Sequence, residues 1–304
     1  GLVALNAEEA LNEAAARLGD SDPAWRRLAL HAVHRISGEA ATRRFVEALP
    51  DLAPNDQAAV VYALGLRGDA AALPAVRRAA RSEHEVVRLA AMGAMRYLGD
   101  ASSVAMLASA AAQGRGEARR VAREVLVRMP GADVDAQMLQ LLDGAEAEVQ
   151  EEVLRALAER GTPGAMDALM AAAREGRGGV ASAAYRALAQ LAPPQDLPRL
   201  VDLLTDTGDA GARRAIVTAS RRFAGEAEKS GALVAALDKP LSAEAERAVL
   251  KTLASMGGDG ARDALAAALN TDDAERRAAA LDAVEDWNGA GLAPVLLDVA
   301  GRLP

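Results

Sequence analysis

The chain has 304 residues and a formal net charge of −8, from 35 Lys and Arg against 43 Asp and Glu, and it contains no cysteine. A disulfide framework, a thiolate metal site and a cysteine nucleophile are therefore excluded. Alanine supplies 76 residues and the aromatic types only seven. Because alanine is the best helix former and a poor strand former, this composition predicts a mostly helical protein.

The N-terminal residues 1–20 predict one capping helix. Glu8, Glu9 and Glu13 make this stretch acidic, and it lacks the basic-then-apolar layout of a signal peptide. No run of about 18 apolar residues occurs, so no membrane insertion is expected. Since the chain begins with Gly rather than Met, a preceding signal or further domains are compatible with the sequence, and the compartment is left open.

A repeat of about 31 residues follows and extends to the C-terminus. Its most regular position, here called the anchor, recurs after 31 residues in six intervals and after 32 and 33 in the other two. Seven of the nine anchors are apolar, and a small or turn-forming residue follows nearly every one. The anchors are Ile36, Arg67, Leu98, Met129, Arg160, Leu191, Phe223, Met256 and Trp287.

Each repeat predicts two helices and two turns. In the first helix, apolar or small residues recur at helical spacing up to the anchor, as at Val87, Ala91 and Leu98. A proline seven residues after some anchors suits the first turn of the second helix. These prolines are Pro74, Pro198 and Pro294. Because one repeat cannot bury its own apolar face, the repeats must stack. We predict an all-α fold, an α-solenoid of about nine two-helix repeats that forms a single domain over residues 1–304.

Segment 85–100 reads Glu-Val-Val-Arg-Leu-Ala-Ala-Met-Gly-Ala-Met-Arg-Tyr-Leu-Gly-Asp and resembles the HEAT-like repeat of the bilin-lyase type. That family alternates an Asp-rich turn, a Val-Arg-x-x-Ala-Ala-x-Ala-Leu helix and a Leu-Gly-Asp turn. The resemblance implies a HEAT-like solenoid in which an arginine ten residues before the anchor has a structural role. This arginine pairs with the acidic or carbonyl-rich turn of a neighbouring repeat. Five repeats have it, as Arg26, Arg88, Arg119, Arg213 and Arg277.

Few residues carry a pattern typical of metal binding or catalysis. His31 and His34 lie three apart on one predicted helix, but the only other histidine is His84, two repeats away, so we predict no metal site. No nucleophile elbow, HExxH or EF-hand spacing is present. The sequence therefore predicts a protein that is not an enzyme and has no cofactor.

Acidic pairs and glycine-rich stretches have structural explanations. We place the pairs Glu151-Glu152 and Asp272-Asp273 at helix starts, where a negative charge meets the positive end of the helix dipole. The stretches 114–116 and 176–179 follow no strand and lack the Lys-Ser/Thr of a phosphate loop, so they predict turns.

The solvent-facing side of the first helices is the candidate binding surface. Positions nine, five and one before each anchor lie four apart and form one ridge. In the eighth repeat we assign the ridge to Arg247, Thr252 and Ser255. The whole ridge has nine arginines against five acidic residues, about +4 in a chain of −8. The residues predicted to contact a partner are Arg27, Arg35, Tyr62, Leu66, Leu89, Tyr97, Arg120, Arg128, Arg155, Arg186, Arg214 and Arg222.

The function predicted from this surface is that of a non-catalytic protein-interaction scaffold, or of the helical module of a larger bacterial protein. A protein partner would lie along the concave face, with Tyr62, Leu66, Leu89 and Tyr97 as an apolar centre. A plain solvated helix surface is the simpler interpretation of the same ridge. Nucleic acid is not expected, because it needs a more positive balance. The resemblance implies one alternative, a bilin-lyase-type subunit that attaches or removes a tetrapyrrole together with a partner subunit.

Overall fold

The computed structural model describes residues 7–162, 164–289 and 291–302. Throughout these residues the secondary structure is helical, and no strand occurs in them. The chain divides into two compact units, Gly1–Arg160 and Gly161–Pro304. The fold class is the predicted one, an all-α solenoid of two-helix repeats. That all repeats form one domain stays a prediction.

The first unit contains the N-terminal helix and the first helices of five repeats. Helix α1 covers part of the predicted capping helix, of which residues 1–6 lie outside the described residues. The helices are α1 (Ala7–Ala16), α2 (Pro23–Arg35), α3 (Glu39–Ala48), α4 (Pro54–Arg67), α5 (Leu73–Ala79), α6 (Glu85–Leu98), α7 (Val104–Gln113), α8 (Gly116–Arg128), α9 (Ala132–Leu141) and α10 (Ala147–Arg160).

The second unit continues the same alternation of first and second helices. Its first helices are α12, α14, α16 and α18, and each packs against the next one along the chain. The helices are α11 (Ala165–Glu175), α12 (Gly179–Leu191), α13 (Leu197–Thr207), α14 (Ala210–Ser220), α15 (Glu226–Ala236), α16 (Ala243–Met256), α17 (Asp259–Leu269), α18 (Ala274–Val284) and α19 (Ala293–Arg302).

The anchors mark the ends of the first helices. Five of them are the last residue of their helix, and Ile36 and Met129 follow the last residue directly. Phe223 and Trp287 lie three residues beyond the ends of α14 and α18, in the two repeats whose first helix ends early. Each predicted proline is the second residue of a second helix, in α5, α13 and α19. The first helices therefore end at the predicted anchors or within three residues of them.

Small residues allow neighbouring first helices to approach closely. Ala91 and Ala94 on α6 are fully buried. Gly65 on α4 faces Ala94 so closely that a Cβ atom on Gly65 would lie 2.5 Å from the Cβ of Ala94. The high alanine content thus has a packing role as well as a helix-forming one, because larger side chains would force α4 and α6 apart.

The arginines ten residues before the anchor hold the turn that closes the preceding repeat. Arg88 donates to the carbonyl oxygens of Ser82 and Glu83, both at 2.7 Å. Arg26, Arg119 and Arg277 bind turn carbonyls in the same way. Arg213 differs, because it pairs with Asp286 at 3.0 Å. The structural role that the resemblance implies is confirmed for four of the five.

Two buried arginines cap the C-terminal ends of first helices. Arg67, whose side chain is 6% exposed, donates to the carbonyl oxygens of Val33, at 2.6 Å, and of Ile36 at the end of α2. Arg160, at 9%, donates to Leu126, Val127 and Met129 at the end of α8, at 2.9, 2.9 and 2.7 Å. A guanidinium group is well suited to this position, because its several N–H donors meet carbonyls that have no partner within their own helix.

Candidate partner-binding ridge

Most of the predicted ridge is open to solvent in both units. Of the twelve side chains predicted to contact a partner, ten are exposed, and Leu89 and Arg155 are half-buried. Eleven of them lie on first helices, and Arg222 lies two residues beyond the C-terminal end of α14. The helical spacing of four residues therefore does place these side chains on the solvent side of the repeats.

The apolar centre of the ridge lies on α4 and α6. Tyr62 and Leu66 on α4 are 44% and 43% exposed, and Tyr97 on α6 is 42% exposed. The Tyr62 ring lies beside Gly93, where a Cβ atom would be 3.7 Å from its Cε2 atom. We call these three exposed side chains, together with the half-buried Leu89, the apolar patch.

The arginines of α8 form exposed ion pairs. Glu124 accepts from Arg120 at 3.3 Å and lies 3.5 Å from Arg128. Arg120 also pairs with Glu117. Since exposed ion pairs contribute about 0–1 kcal/mol, these contacts leave both arginines able to exchange partners.

Glu152 on α10 is buried and joins two arginines. It accepts hydrogen bonds from Arg123 at 2.8 Å and from Arg155 at 3.0 Å. Burial raises the pKa of its carboxyl group, but the hydrogen bonds and charges of Arg123 and Arg155 lower it more, so the net pKa is lowered. The expectation that the pair Glu151-Glu152 caps a helix start is wrong, because α10 begins at Ala147 and Glu152 lies within the helix. Asp273 does cap α18.

Replacing Glu152 by glutamine is expected to lower the free energy of unfolding at neutral pH by about 1–2 kcal/mol, because two charge-assisted hydrogen bonds are lost. A carboxylate with a lowered pKa stabilises the fold above its unfolded-state pKa of about 4.3, and this contribution disappears as the pH falls through the lower folded-state pKa. Urea unfolding from neutral pH down to about pH 3 checks this. If the difference in the free energy of unfolding between the wild type and Glu152→Gln stayed constant with pH, this prediction would be contradicted.

In the second unit, two ridge arginines flank an open groove. The groove runs between α12 and α14 and has a volume of about 950 Å³. Arg186 on α12 and Arg214 on α14 line it, together with Ser182 and Thr218. Both arginines are exposed, and neither forms an ion pair with a described carboxylate.

Arg222 also lines this groove but has a structural role. It donates to the carbonyl oxygens of Gln190 and, at 2.8 Å, of Ala192, where α12 ends. This arrangement resembles the capping by Arg67 and Arg160. The guanidinium group of Arg222 keeps its full positive charge, while two of its N–H groups already donate to these carbonyls.

One wall of the groove contains a close contact between Tyr185 on α12 and Gly211 on α14. Tyr185 on α12 is buried, and its ring lies directly against Gly211 at the start of α14. Burial raises the pKa of the Tyr185 hydroxyl group, so the side chain is neutral at physiological pH. Among the described residues that line the groove, Tyr185 is the one aromatic residue.

Towards the C-terminal end, the ridge cations are already paired. Lys251 lies 2.9 Å from Asp282 and Arg247 lies 3.7 Å from it. The hydrogen bond from Lys251 lowers the pKa of Asp282. The assignment of Thr252 to the ridge is wrong, because Thr252 is fully buried and donates to the Ala248 carbonyl oxygen at 2.7 Å. The ridge residue is Lys251.

At the N-terminal end, Arg27 and Arg35 are exposed on α2 and form no ion pair with a described carboxylate. Arg35 borders a shallow groove of about 430 Å³ between α1 and α2, with Trp25 and Leu28 exposed along it. His31 and His34 are also exposed. Within the described residues, no group of three or more His, Asp or Glu side chains could hold a metal ion.

The sequence also identifies the family. Residues 42–127 and 136–221 match the model of HEAT repeats. Since these stretches make up more than half of the chain, the chain belongs to the HEAT-repeat family. No curated protein matches it.

Several solved structures are similar to this chain. Human deoxyhypusine hydroxylase is 18% identical, with a TM-score of 0.36 over 92% of this chain and 96% of that one. The complex of CpcE and CpcF of phycocyanin lyase from Nostoc sp. PCC7120 is 20% identical, with a TM-score of 0.29 over 99% and 95%. The karyopherin Kap121p, bound to the extreme C-terminus of the protein phosphatase Cdc14p, is 11% identical, with a TM-score of 0.46 over 91% and 37%. These values give no information on activity or partners. In the part of the chain that the structure describes, no helix has the length and apolar character of a membrane span.

Proposed function

We propose that this chain is a non-catalytic protein-interaction scaffold that binds a protein partner through the ridge of its first helices. The observation that carries this proposal is a set of exposed ridge arginines without a described carboxylate partner: Arg27, Arg35, Arg186 and Arg214. In a chain of net charge −8, such cations are available to acidic groups of another molecule.

The apolar patch supports the same role in the first unit. Exposed tyrosines are well suited to partner contact, because their rings bury a large area and their hydroxyl groups can still form hydrogen bonds. A patch of Tyr62, Leu66, Leu89 and Tyr97 beside charged neighbours has the composition of a small contact surface. Whether the chain acts alone or as the helical module of a larger bacterial protein, the ridge would be the binding surface.

The bilin-lyase-type role is the weaker alternative. It needs an open groove with polar and aromatic lining, and the α12–α14 groove has Tyr185 as its one aromatic residue among the described lining residues, in a buried position. This alternative stays a prediction from the sequence resemblance. A bilin absorption spectrum that is unchanged by the chain, alone and with a co-expressed partner, would exclude it.

Charge reversal of the ridge tests the scaffold role. We expect the variant with Arg27, Arg35, Arg186 and Arg214 replaced by glutamate to lose proteins that co-purify with the wild-type chain from its own host. A matched variant reverses four exposed arginines off the ridge and should keep them. Its positions are Arg43, Arg78, Arg81 and Arg115.

Quantitative mass spectrometry of the co-purified proteins gives the result. Far-UV circular dichroism of both variants checks that they are folded, as exposed positions predict. Loss in the ridge variant alone supports the proposal. Equal recovery with both variants would show that the ridge is not the binding surface.

A further inference from the structure

We infer that the groove between α12 and α14 binds an acidic, extended segment of the partner protein, with Arg186 and Arg214 contacting its carboxylates. This inference rests on the proposed scaffold function and specifies the chemistry of one part of the ridge. Four observations support it: the charge of the groove, the pairing of its neighbours, its lining and its size.

The first observation is the contrast in pairing within the second unit. Arg213, Arg247 and Lys251 each lie within ion-pair distance of Asp282 or Asp286. Arg186 and Arg214, on the neighbouring ridge positions, have no such partner among the described residues. In the described part of the second unit, the ridge cations on α16 are therefore paired, whereas Arg186 and Arg214 in the groove are not.

The second observation concerns Asp209, the one acidic residue among the described residues that line the groove. Asp209 is the N-cap of α14, and its Oδ1 atom accepts the backbone N–H of Gly211 at 2.5 Å. This hydrogen bond holds the carboxylate at the helix N-terminus, where the positive end of the helix dipole also stabilises it. Asp209 keeps its negative charge, but among the described residues it forms no ion pair with Arg186 or Arg214.

The third observation is the shape of the lining. Small side chains also line the groove, at Ala181, Ala189 and Ala215. Small residues leave room for a backbone to lie low in the groove while its acidic side chains reach the arginines. Ser182 and Thr218 are exposed along the same walls. The Ser182 hydroxyl group donates to the Gly178 carbonyl oxygen at 2.9 Å and can still accept a backbone N–H, and Thr218 offers a second hydroxyl group.

The fourth observation concerns size and charge density together. A volume of about 950 Å³ is enough for a short peptide segment. Guanidinium groups bind carboxylates through two parallel hydrogen bonds, which favours an acidic peptide over a neutral one. A nucleic acid needs a longer positive track than three arginines provide, and the chain as a whole is acidic.

Fluorescence anisotropy with the full chain tests the inference. The probe is a fluorescein-labelled octapeptide of alternating glutamate and alanine, and the reference probe has lysine in place of glutamate. We expect the double variant Arg186→Gln, Arg214→Gln to bind the acidic peptide at least about tenfold more weakly, which corresponds to about 1.4 kcal/mol. The matched control Arg27→Gln, Arg35→Gln removes two equally unpaired ridge arginines in the other unit and should bind as the wild type does.

Three results would overturn the inference. They are an undiminished affinity in the groove variant, an equal loss in the control variant, and tighter binding of a single-stranded oligonucleotide that the groove variant also loses. The third result would identify a nucleic-acid groove instead. If the ridge-reversed chain loses its co-purifying proteins but the acidic octapeptide does not bind the wild type, the scaffold role stands and the acidic-segment inference fails.

Discussion

Replacing Arg67 by alanine is expected to lower the free energy of unfolding of the first unit by about 3–5 kcal/mol. The side chain donates to the carbonyl oxygens of Val33 and Ile36, to Gly38 at 2.9 Å and to the Thr42 hydroxyl oxygen at 2.7 Å. Without it, the C-terminal carbonyls of α2 remain buried with no donor, and each unsatisfied group costs about 1–3 kcal/mol.

The Arg67 network extends to an acidic group. The hydroxyl group of Thr42, which is fully buried, donates to the Asp69 carboxylate at 2.6 Å, and this hydrogen bond lowers the pKa of Asp69. Arg67→Ala therefore also leaves a carboxylate and a hydroxyl group without their positive neighbour. Arg67→Lys should have an intermediate effect, because one ammonium group cannot reach all of these acceptors.

Urea unfolding followed by tryptophan fluorescence measures the Arg67 effect. The chain has two tryptophans, Trp25 and Trp287, so a Trp287→Phe background leaves Trp25 to report on the first unit. Arg88→Ala is the matched control, because Arg88 binds two turn carbonyls nearer the surface. We expect it to cost no more than about 1 kcal/mol. Equal losses for Arg67 and Arg88 would contradict the capping role.

Replacing Gly65 by alanine is expected to destabilise the first unit by about 2–3 kcal/mol, although alanine is the better helix former. The new Cβ atom would lie 2.5 Å from the Cβ and 2.6 Å from the Cα of Ala94. A backbone atom cannot move aside as the end of a flexible side chain can, so α4 and α6 would have to separate. That separation reduces the burial of the neighbouring core.

Gly93→Ala is the matched control for Gly65→Ala. Gly93 is also inside a helix of the same pair, but a Cβ atom there would lie at ordinary contact distances of 3.7 and 3.8 Å from the Tyr62 ring. We expect it to stabilise the unit by about 0.5–1 kcal/mol through helix propensity. The same single-tryptophan urea experiment compares the two variants. A stabilising Gly65→Ala would show that the α4–α6 approach is not as close as described.

The repeat boundaries could be predicted because they depend on local signals. Leu98 and Arg160 end their helices where the 31-residue spacing places them, and Pro74 and Pro198 lie in the first turn of a second helix as expected. Helix periodicity and turn residues act within a few residues of the chain, so one sequence is enough to show them.

Other features could not be predicted because they depend on contacts between repeats. Arg67 and Arg160 are the two charged residues among nine anchors that are otherwise apolar. A charged residue at such a position is a signal that it binds buried polar groups, here backbone carbonyl oxygens. Glu152 had a comparable signal, because Arg123 lies 29 residues before it, close to one repeat length. Its burial depends on how α8 and α10 pack, which periodicity alone does not specify.

The ridge also combines features that local signals predict with features that depend on contacts between repeats. Helical spacing correctly placed Tyr62, Tyr97 and Arg186 on the solvent side. Which ridge arginines are paired depends on side chains one or two repeats away, as for Lys251 with Asp282. The distinction between Arg214, which is unpaired, and Arg222, which caps α12, therefore required the tertiary structure.

The helical character of this chain and its repeat of about 31 residues could be predicted from one sequence. These properties follow from propensity and periodicity, which are local. The packing of the helices is needed to show which arginines cap helix ends, which form ion pairs and which, in the α12–α14 groove, have no ion-pair partner among the described residues. The physical reason is that charges and hydrogen bonds are satisfied by whichever groups packing brings within about 3 Å, and that proximity is not encoded in the spacing of residues along one helix.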